Sequence, residues 1–533
     1  MTSPPFTRVL IANRGEIAVR LIRACHELGM EVVAIYSDAD AGAQHVAMAD
    51  LAVRIGPPAP ADSYLRIDRI IEAAQATGSR AIHPGYGFLA ERAAFAQAAE
   101  EAGIAFVGPS SATIDALGDK LHARRLARSI GVDPVPGTFD PAPVGQPEQV
   151  ARIVEEAEAI GFPLLVKAAA GGGGRGMRRV ASSDELAAAL MAASAEALSA
   201  FGDGSVYLER EIHLARHIEV QLLGDSTGHV VALGERGCSV QRRHQKLIEE
   251  APAPGLTTGE RRALHDQAAR LAMAAGLRNA ATAEFLRSPD GAFLFLEVNT
   301  RLQVEHGVTE LVSGLDIVHE QFRVAAGEPL SAAVLAAAER AATPTTHAVE
   351  VRLTAEDPSL DFLPTPGTLR RWVMPSGPGV RVDTGLVQGD RIPQEYDNLM
   401  AKIMVLGPDR DRALDRLDRA LGEVLVAGVQ TTLPFHRWVV NDPSFRAGAL
   451  STTWVGEHWD GPARRGDVAE RAARLAGAAV LDGRIQAGGA AAEGDAGPGG
   501  DGRRRPVDPT SAAGHPSGWL VAGRADAVDR WPR

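Results

Sequence analysis

The chain has 533 residues. A single hydrophobic core rarely extends over so long a chain, so roughly two to four domains are expected. Its 45% hydrophobic and 23% charged residues suit a globular protein. The sequence shows neither an apolar run of about eighteen residues nor a signal-peptide pattern, so we expect a cytoplasmic protein without membrane association. A net charge of −12 argues against general nucleic-acid binding.

The first region alternates strands and helices, the pattern of a parallel α/β layer. Predicted strands are 8–12, 31–36, 81–82 and 105–107, and a helix is predicted from Glu16 to Leu28. This first domain is expected to end near residue 115.

The middle region changes to short strands joined by tight turns, which predicts an antiparallel or mixed sheet. The predicted strands are 163–168, 177–180, 206–208, 218–223 and 230–233. A third region, about 347–454, mixes strands with a helix from Asp411 to Leu421. Residues 460–533 are rich in Ala, Gly, Arg and Pro, and we expect a disordered tail there.

Lysine is scarce: only Lys120, Lys167, Lys246 and Lys402 accompany the many arginines. Such scarcity favours lysine positions where a compact ammonium contacts phosphate, although compositional drift explains it too. Lys167 opens a glycine-rich run to Gly176, between two predicted strands. Glycine backbones can close around phosphate oxygens, but a plain glycine turn is an equally good interpretation of the run alone.

A predicted hairpin carries two carboxylates on one face. Strand 282–287 and strand 292–297 flank the turn 288–291. If Arg287 pairs with Ala292, then Glu284 and Glu297 become diagonal neighbours on an otherwise apolar hairpin. Together with Asn299 they suit magnesium or manganese, whereas solvated surface glutamates are the weaker alternative.

The alternation continues beyond this hairpin, so we predict one extended polar row from Glu297 through Arg301 and Gln303 to Glu305. In that row Arg301 could clamp an anion, Gln303 could orient it and Glu305 could act as a base. A strand with one wet face would show the same pattern.

The segment 235–246 concentrates hydrogen-bond donors, which suits anion or adenine recognition, although a solvated charged loop is the ordinary interpretation. The two cysteines, Cys25 and Cys238, are too few for a disulfide scaffold, and we expect reduced, buried thiols.

Taken together, these segments resemble the biotin carboxylase family of the ATP-grasp superfamily. The resemblance covers nearly everything up to about residue 455. Further matching motifs are Ile11 to Ala18, His83 to Leu89, Gly118 to Lys120, Gln241 to Lys246, Ala355 to Pro358, Tyr396-Asp397 and Lys402.

The resemblance implies a multidomain α/β and α+β protein. It would comprise a Rossmann-like N-terminal domain (1–115), an ATP-grasp domain (116–330) with a glycine-rich lid at about 138–210, and a C-terminal biotin carboxylase domain (345–455). The implied reaction is ATP-dependent carboxylation of biotin with bicarbonate, through carboxyphosphate.

The resemblance also implies roles for individual residues. Lys246, Arg301, Glu305 and Arg352 would be catalytic, with Glu305 as the base and Arg352 stabilising the biotin enolate. The implied ligand contacts are, for ATP, Lys120, Lys167, Gly173, Gly174, Glu209, His217, Gln241 and His244; for bicarbonate, Lys246, Arg301, Gln303 and Val304; and for Mg²⁺ or Mn²⁺, Glu284, Glu297 and Asn299.

The sequence departs from the family pattern at Ala170, at Gly307 and at Leu353-Thr354, which affects local loop geometry more than any proposed catalytic group. No lysine follows Lys402 and no methionine follows Met404, so a biotin carrier protein is expected as a separate partner or as part of a longer architecture. A carboxyltransferase partner and a homodimer are also expected. A carbamoyl-phosphate-synthase-like ligase and a silent nucleotide-binding scaffold are the alternatives.

Overall fold

The computed structural model describes residues 4–141, 147–169 and 177–466. At the N-terminus, a five-stranded parallel sheet has the strand order β3-β2-β1-β4-β5. Its strands are β1 (Arg8–Ile11), β2 (Glu31–Ser37), β3 (Leu51–Gly56), β4 (Ala81–His83) and β5 (Ala105–Phe106). The helices of this region are α1 (Gly15–Glu27), α2 (Gln44–Met48), α3 (Ile67–Thr77), α4 (Ala93–Glu101) and α5 (Ser111–Gly118), with 3₁₀ turns at Asp38–Asp40 and Pro60–Asp62.

A small antiparallel sheet follows, with the strand order β7-β6-β8. It consists of β6 (Leu164–Ala168), β7 (Arg178–Val180) and β8 (Val206–Arg210), and the helices of this region are α6 (Lys120–Ser129), α7 (Pro147–Ile160) and α8 (Ser183–Phe201). Leu164 and Val166 on β6 and Leu186 and Leu190 on α8 are buried in one cluster, so the helix closes one face of this sheet.

The largest sheet has eight antiparallel strands in the order β13-β12-β9-β10-β11-β14-β21-β19. They are β9 (Arg216–Gly224), β10 (Val230–Arg242), β11 (Gln245–Ala251), β12 (Asn279–Arg287), β13 (Phe293–Asn299), β14 (His347–Thr354), β19 (Val380–Thr384) and β21 (Leu399–Gly407). The β11–β14 pairing joins strands from the regions before and after residue 330 into one sheet.

The remaining helices pack around this sheet. They are α9 (Thr258–Ala274), α10 (His306–Ser313), α11 (Ile317–Ala325), α12 (Ala332–Arg340), α13 (Arg410–Glu423), α14 (Leu433–Asn441), α15 (Pro443–Arg446) and α16 (Trp454–His458), with a 3₁₀ turn at Pro358–Leu360. Short strand pairs are formed by β15 (Glu356–Asp357), β16 (Leu363–Pro364), β17 (Gly367–Thr368), β18 (Arg371–Val373), β20 (Arg391–Ile392) and β22 (Leu425–Ala427).

Local sequence explains several of these elements. Helix α9 begins at a capping box, in which Thr257 accepts the backbone N–H of Glu260 and the Glu260 side chain accepts the N–H of Thr257. Helix α13 presents Leu414, Leu417 and Leu421 to a core shared with β14 and β21. Burying this apolar face stabilises the C-terminal part of the eight-stranded sheet.

The structure corrects the predicted hairpin register. Arg287 pairs with Phe293 rather than Ala292, and a bulge next to Glu284 places that residue directly opposite Glu297. The two carboxylates are therefore direct cross-strand neighbours, not diagonal ones. A bulge adds one residue to one strand, which sequence alternation cannot reveal.

The predicted row from Glu297 to Glu305 is also not one strand. Strand β13 ends at Asn299, a turn follows, and Glu305 is the residue before helix α10. Likewise, the segment 235–246 is not a solvated loop, because Glu235 to Arg242 lie on β10 and Gln245-Lys246 begin β11.

Both cysteines are free and buried, as predicted. Among the helices that the structure describes, none has the length and apolar character needed to cross a bilayer. Residues 461–466, at the start of the predicted disordered tail, are helical, and the rest of that tail lies outside the described residues. Met404 fills the space beside Gly307. A methyl group at position 307 would overlap the Sδ of Met404.

Candidate active site

Polar side chains gather on one face of the eight-stranded sheet. Along β9, His217, Glu219 and Gln221 alternate with the buried apolar residues Ile218 and Val220. Because side chains alternate across a strand, the polar set shares one face. Neighbouring strands contribute Arg236, Lys246, Glu249, Glu284 and Arg352.

Lys246 lies at the centre of this face. Its Nζ donates to Glu305 Oε1 at 2.7 Å and to Glu284 Oε1 at 2.9 Å, and it also contacts Glu219. Burial opposes the ammonium charge, but these three carboxylates raise the pKa of Lys246 well above its usual range. Lys246 is therefore a fixed positive charge in the site.

Arg352 and Glu305 form the next pair. Nη2 of Arg352 donates to Glu305 Oε2 at 2.8 Å, and Nε donates to Glu249 Oε1 at 2.6 Å. Burial alone would raise the pKa of Glu305, but Lys246 and Arg352 hold it well below its usual range. Glu305 is thus ionised at neutral pH and can accept a proton.

The three predicted metal ligands lie beside Lys246. Asn299 Nδ2 donates to Glu284 Oε1 at 2.7 Å, and Glu284 faces Glu297 across the β12–β13 pairing. Glu284 also lies 2.8 Å from the Nε2 of His217, and Glu297 contacts the ammonium of Lys120. Two carboxylates and an amide form a hard oxygen donor set, so these residues fit Mg²⁺ or Mn²⁺.

Arg301 and Gln303 lie in the turn after β13. Arg301 Nη1 donates to Gln303 Oε1 at 2.9 Å, and Arg301 Nε donates to Glu91 Oε2 at 3.0 Å. Gln303 Nε2 in turn donates to Glu284 Oε1 at 3.3 Å, which links Arg301 to the Lys246 cluster. Val304 is half-buried, and its carbonyl accepts from Lys402 Nζ at 3.0 Å.

Two further lysines, Lys120 and Lys167, also contact carboxylates. Lys167 contacts Glu209, and Glu209 also accepts from Arg124 Nη1 at 2.9 Å. Burial, with Lys167 nearby, lowers the pKa of Lys120 to about 8. These cations fit a polyanionic ligand better than an apolar one.

Gln241 is buried near the end of β10, and His244 is exposed in the turn between β10 and β11. His244 has a φ of 64°, so this turn uses a left-handed residue. Gly173 and Gly174 lie outside the described residues.

Sequence reasoning missed Glu219, Arg236, Arg124 and Glu91 as members of the site. It also missed Glu249, which lies behind the site and accepts from Arg352 Nε. Arg236 is fully buried and donates to Gln221, Thr282 and Thr309 in addition to Glu219. The alternating polar residues of β9 were a usable signal for Glu219. The others are brought together only by strand pairing and loop packing.

His436 supports Arg352 from behind. Its Nε2 donates to the Arg352 carbonyl at 2.7 Å, and burial lowers the pKa of His436 to about 4. A histidine in the unfolded chain has a pKa of about 6.5. Between about pH 6.5 and 4, this histidine is therefore protonated in the unfolded chain but neutral in the folded protein. The free energy of unfolding should fall as pH decreases through this range.

We expect His436→Gln, which keeps an N–H donor but does not titrate, to reduce this pH dependence by up to about 1.4 kcal/mol per pH unit within that window. Urea unfolding at several pH values measures the effect, and His122→Gln at an exposed histidine is the control. An unchanged slope in His436→Gln would contradict a neutral buried His436.

Three models of known protein families match parts of the chain. They are the biotin carboxylase N-terminal domain (residues 5–114), the carbamoyl-phosphate synthase L chain ATP binding domain (119–333) and the biotin carboxylase C-terminal domain (350–457).

Among curated relatives, biotin carboxylase of Nostoc sp. is 46% identical, over 85% of this chain and 99% of the relative. Biotin carboxylase 1 of Bacillus subtilis is 45% identical, over 84% of this chain and 98% of the relative. The biotin carboxylase domain of the Hydrogenobacter thermophilus 2-oxoglutarate carboxylase, solved with MgADP, ADP and bicarbonate, is 44% identical. It aligns with a TM-score of 0.81 over 85% of this chain and 98% of that one.

Proposed function

The chain belongs to the biotin carboxylase family, and on this premise we propose that it carboxylates biotin on a carrier protein, using ATP and bicarbonate. The observation that carries the proposal is the Lys246–Glu305–Arg352 cluster, in which an ionised carboxylate is held between two cations. Such a cluster suits a small anion that must lose a proton before it reacts.

In the first step, a bicarbonate oxygen attacks the γ-phosphorus of ATP, the bond to the bridging oxygen breaks, and carboxyphosphate and ADP form. We propose that Arg301, Gln303, Lys246 and the backbone of Val304 hold the bicarbonate, and that Glu305 takes its proton. The link from Arg301 through Gln303 to Glu284 supports this assignment, because it connects a guanidinium, which suits an anion, to a proposed metal ligand.

In the second step, carboxyphosphate breaks down to CO₂ and phosphate, and the phosphate takes the proton from the biotin ureido nitrogen. That nitrogen then attacks CO₂ and carboxybiotin forms. The biotin ring carries developing negative charge as its proton leaves, and we propose that the guanidinium of Arg352 stabilises it.

For ATP, we propose that Lys120, Lys167, Gly173 and Gly174 contact the phosphates, while Glu209, His217, Gln241 and His244 surround the rest of the nucleotide. Glu284, Glu297 and Asn299 would hold Mg²⁺ or Mn²⁺, which when bound neutralises phosphate charge. The chain's own cations, above all Lys120, would orient the γ-phosphate towards bicarbonate.

We further propose that the partners are a biotin carrier and a carboxyltransferase. The chain is 44% identical to the biotin-dependent acyl-coenzyme A carboxylase alpha3 subunit of Mycobacterium leprae, of which it covers 75%. A homodimer is proposed as well, since the Hydrogenobacter thermophilus biotin carboxylase domain was solved as a dimer. The domain ranges 1–115, 116–330 and 345–455, and the location in the cytoplasm, remain predictions.

The test is ATP hydrolysis by the purified protein with magnesium, in the presence or absence of bicarbonate and of free biotin. We expect hydrolysis to require bicarbonate and to be stimulated by biotin. Stimulation by ammonia instead would favour a carbamoyl-phosphate-synthase-like ligase. Nucleotide binding without hydrolysis would favour a scaffold and would refute the proposal.

A further inference from the structure

Two buried carboxyl groups face each other behind Arg352. Glu249 on β11 and Glu350 on β14 are directly paired across the strands, and both side chains are fully buried. Glu249 Oε2 and both oxygens of Glu350 accept no hydrogen bond from any residue in the described part of the chain. Direct cross-strand partners point to the same face with their Cβ atoms about 5 Å apart.

The two carboxyls differ in their partners. Glu249 Oε1 accepts from Arg352 Nε at 2.6 Å, whereas neither oxygen of Glu350 accepts a bond from the residues that the structure describes. Two ionised carboxylates at this separation, both shielded from water, repel each other strongly. The carboxyl without a donor is therefore the one that keeps its proton, and the one on Arg352 is the one that ionises.

The surrounding charges agree with this division. The charged groups that interact with the pair come from the adjoining strands and from the residue before α10: Arg352, Lys246, Lys402 and Glu305. The thiol of Cys238 also lies near Glu249. Burial raises the pKa of Glu249 to about 7, with Arg352 acting to lower it and Glu305 to raise it. Burial raises the pKa of Glu350 well above its usual range.

Arg352 is thus held along two edges. Glu305 holds Nη2 from the side of the site, and Glu249 holds Nε from the interior. A guanidinium has a rigid, planar set of donors, so a bond at Nε fixes the direction of the remaining N–H groups.

We propose that Glu249 is a positioning residue that aims the guanidinium of Arg352 at the biotin ring, and that Glu350 is its neutral, proton-bearing neighbour. This assignment rests on the proposed function, because it concerns the step in which biotin is carboxylated. Glu249 itself touches no reacting atom and acts through Arg352.

The kinetic test compares Glu249→Gln with wild type in two assays on the full chain. We expect biotin-stimulated turnover to fall about 10-fold to 100-fold, the usual range for a hydrogen bond to a charged group. Bicarbonate-dependent ATP hydrolysis without biotin should stay within about threefold. Equal losses in both assays, or no loss in either, would overturn the proposal.

The pH profile gives a second readout. In wild type, biotin-stimulated turnover should rise as pH passes through about 7, because ionised Glu249 then holds Arg352. Glu249→Gln should lack this rise, and a rise that persists would count against the assignment. Glu250→Gln is the matched control, since Glu250 is equally buried but pairs with Arg410 and His347; its profile should keep the rise.

The protonation of Glu350 can be tested without measuring turnover. The result of that test does not depend on whether the protein carboxylates biotin. Infrared spectra at pH 8 should contain a protonated-carboxyl band that is absent in Glu350→Gln. This variant should also keep turnover within about threefold, because an amide replaces a neutral acid of similar shape. A missing band in wild type would overturn the neutral assignment of Glu350.

Discussion

Glu305→Gln is expected to lower bicarbonate-dependent ATP hydrolysis by about 10²-fold to 10⁴-fold, the usual contribution of a general base. The substitution keeps the size of the side chain and removes its ability to accept the bicarbonate proton. Because Glu305 also accepts from Lys246 and Arg352, both cations lose a negatively charged partner, although the amide oxygen can still accept from one of them. Steady-state rates at saturating ATP and bicarbonate measure the effect, with and without biotin.

Two controls separate chemistry from damage to the fold. Thermal unfolding should show that Glu305→Gln remains folded at the assay temperature. Glu235→Gln removes an equally buried carboxylate that pairs with Arg261 and His265, and it should keep most of the activity. If Glu305→Gln retained more than about a tenth of the wild-type rate, Glu305 would not be the base.

Arg236→Ala is expected to destabilise the folded protein by about 3–5 kcal/mol, the usual cost of breaking a fully buried ion pair. Arg236 is wholly inaccessible to solvent and donates to Glu219 and Gln221 on β9, Thr282 on β12 and Thr309 on α10. Its loss leaves the carboxylate of Glu219 buried beside only one remaining cation among the described residues, Lys246. Urea unfolding with a linear extrapolation measures the change.

Arg66→Ala is the matched control, because Arg66 and Asp68 form an ion pair in which both side chains are exposed. Its effect should lie within about 0.5 kcal/mol, as for most surface pairs. A similarly small loss in Arg236→Ala would mean that the sheet relaxes after the guanidinium is removed, and that the bonds of Arg236 to β9, β12 and α10 contribute little to stability.

Much of the site could be predicted because it lies in contiguous motifs. Glu284, Glu297 and Asn299 belong to one hairpin, and Arg301, Gln303 and Glu305 follow it directly. Residue type alone suggested hard oxygen ligands beside a residue that clamps an anion, and these roles stay predictions. The interpretation as a single polar strand was wrong, since the turn after Asn299 redirects the chain towards α10.

By itself, the sequence determined the parallel N-terminal layer, the hairpin that carries two glutamates, the reduced state of both cysteines and the family. The layer and the hairpin follow from hydrophobic periodicity, the reduced thiols from there being only two cysteines, and the family from the resemblance of whole motifs. Tertiary structure alone decided that Glu284 faces Glu297 directly and that Glu249 faces Glu350 behind Arg352. Register depends on bulges and on pairing between distant strands, and the charge that a buried carboxyl carries depends on which neighbours that pairing brings within reach.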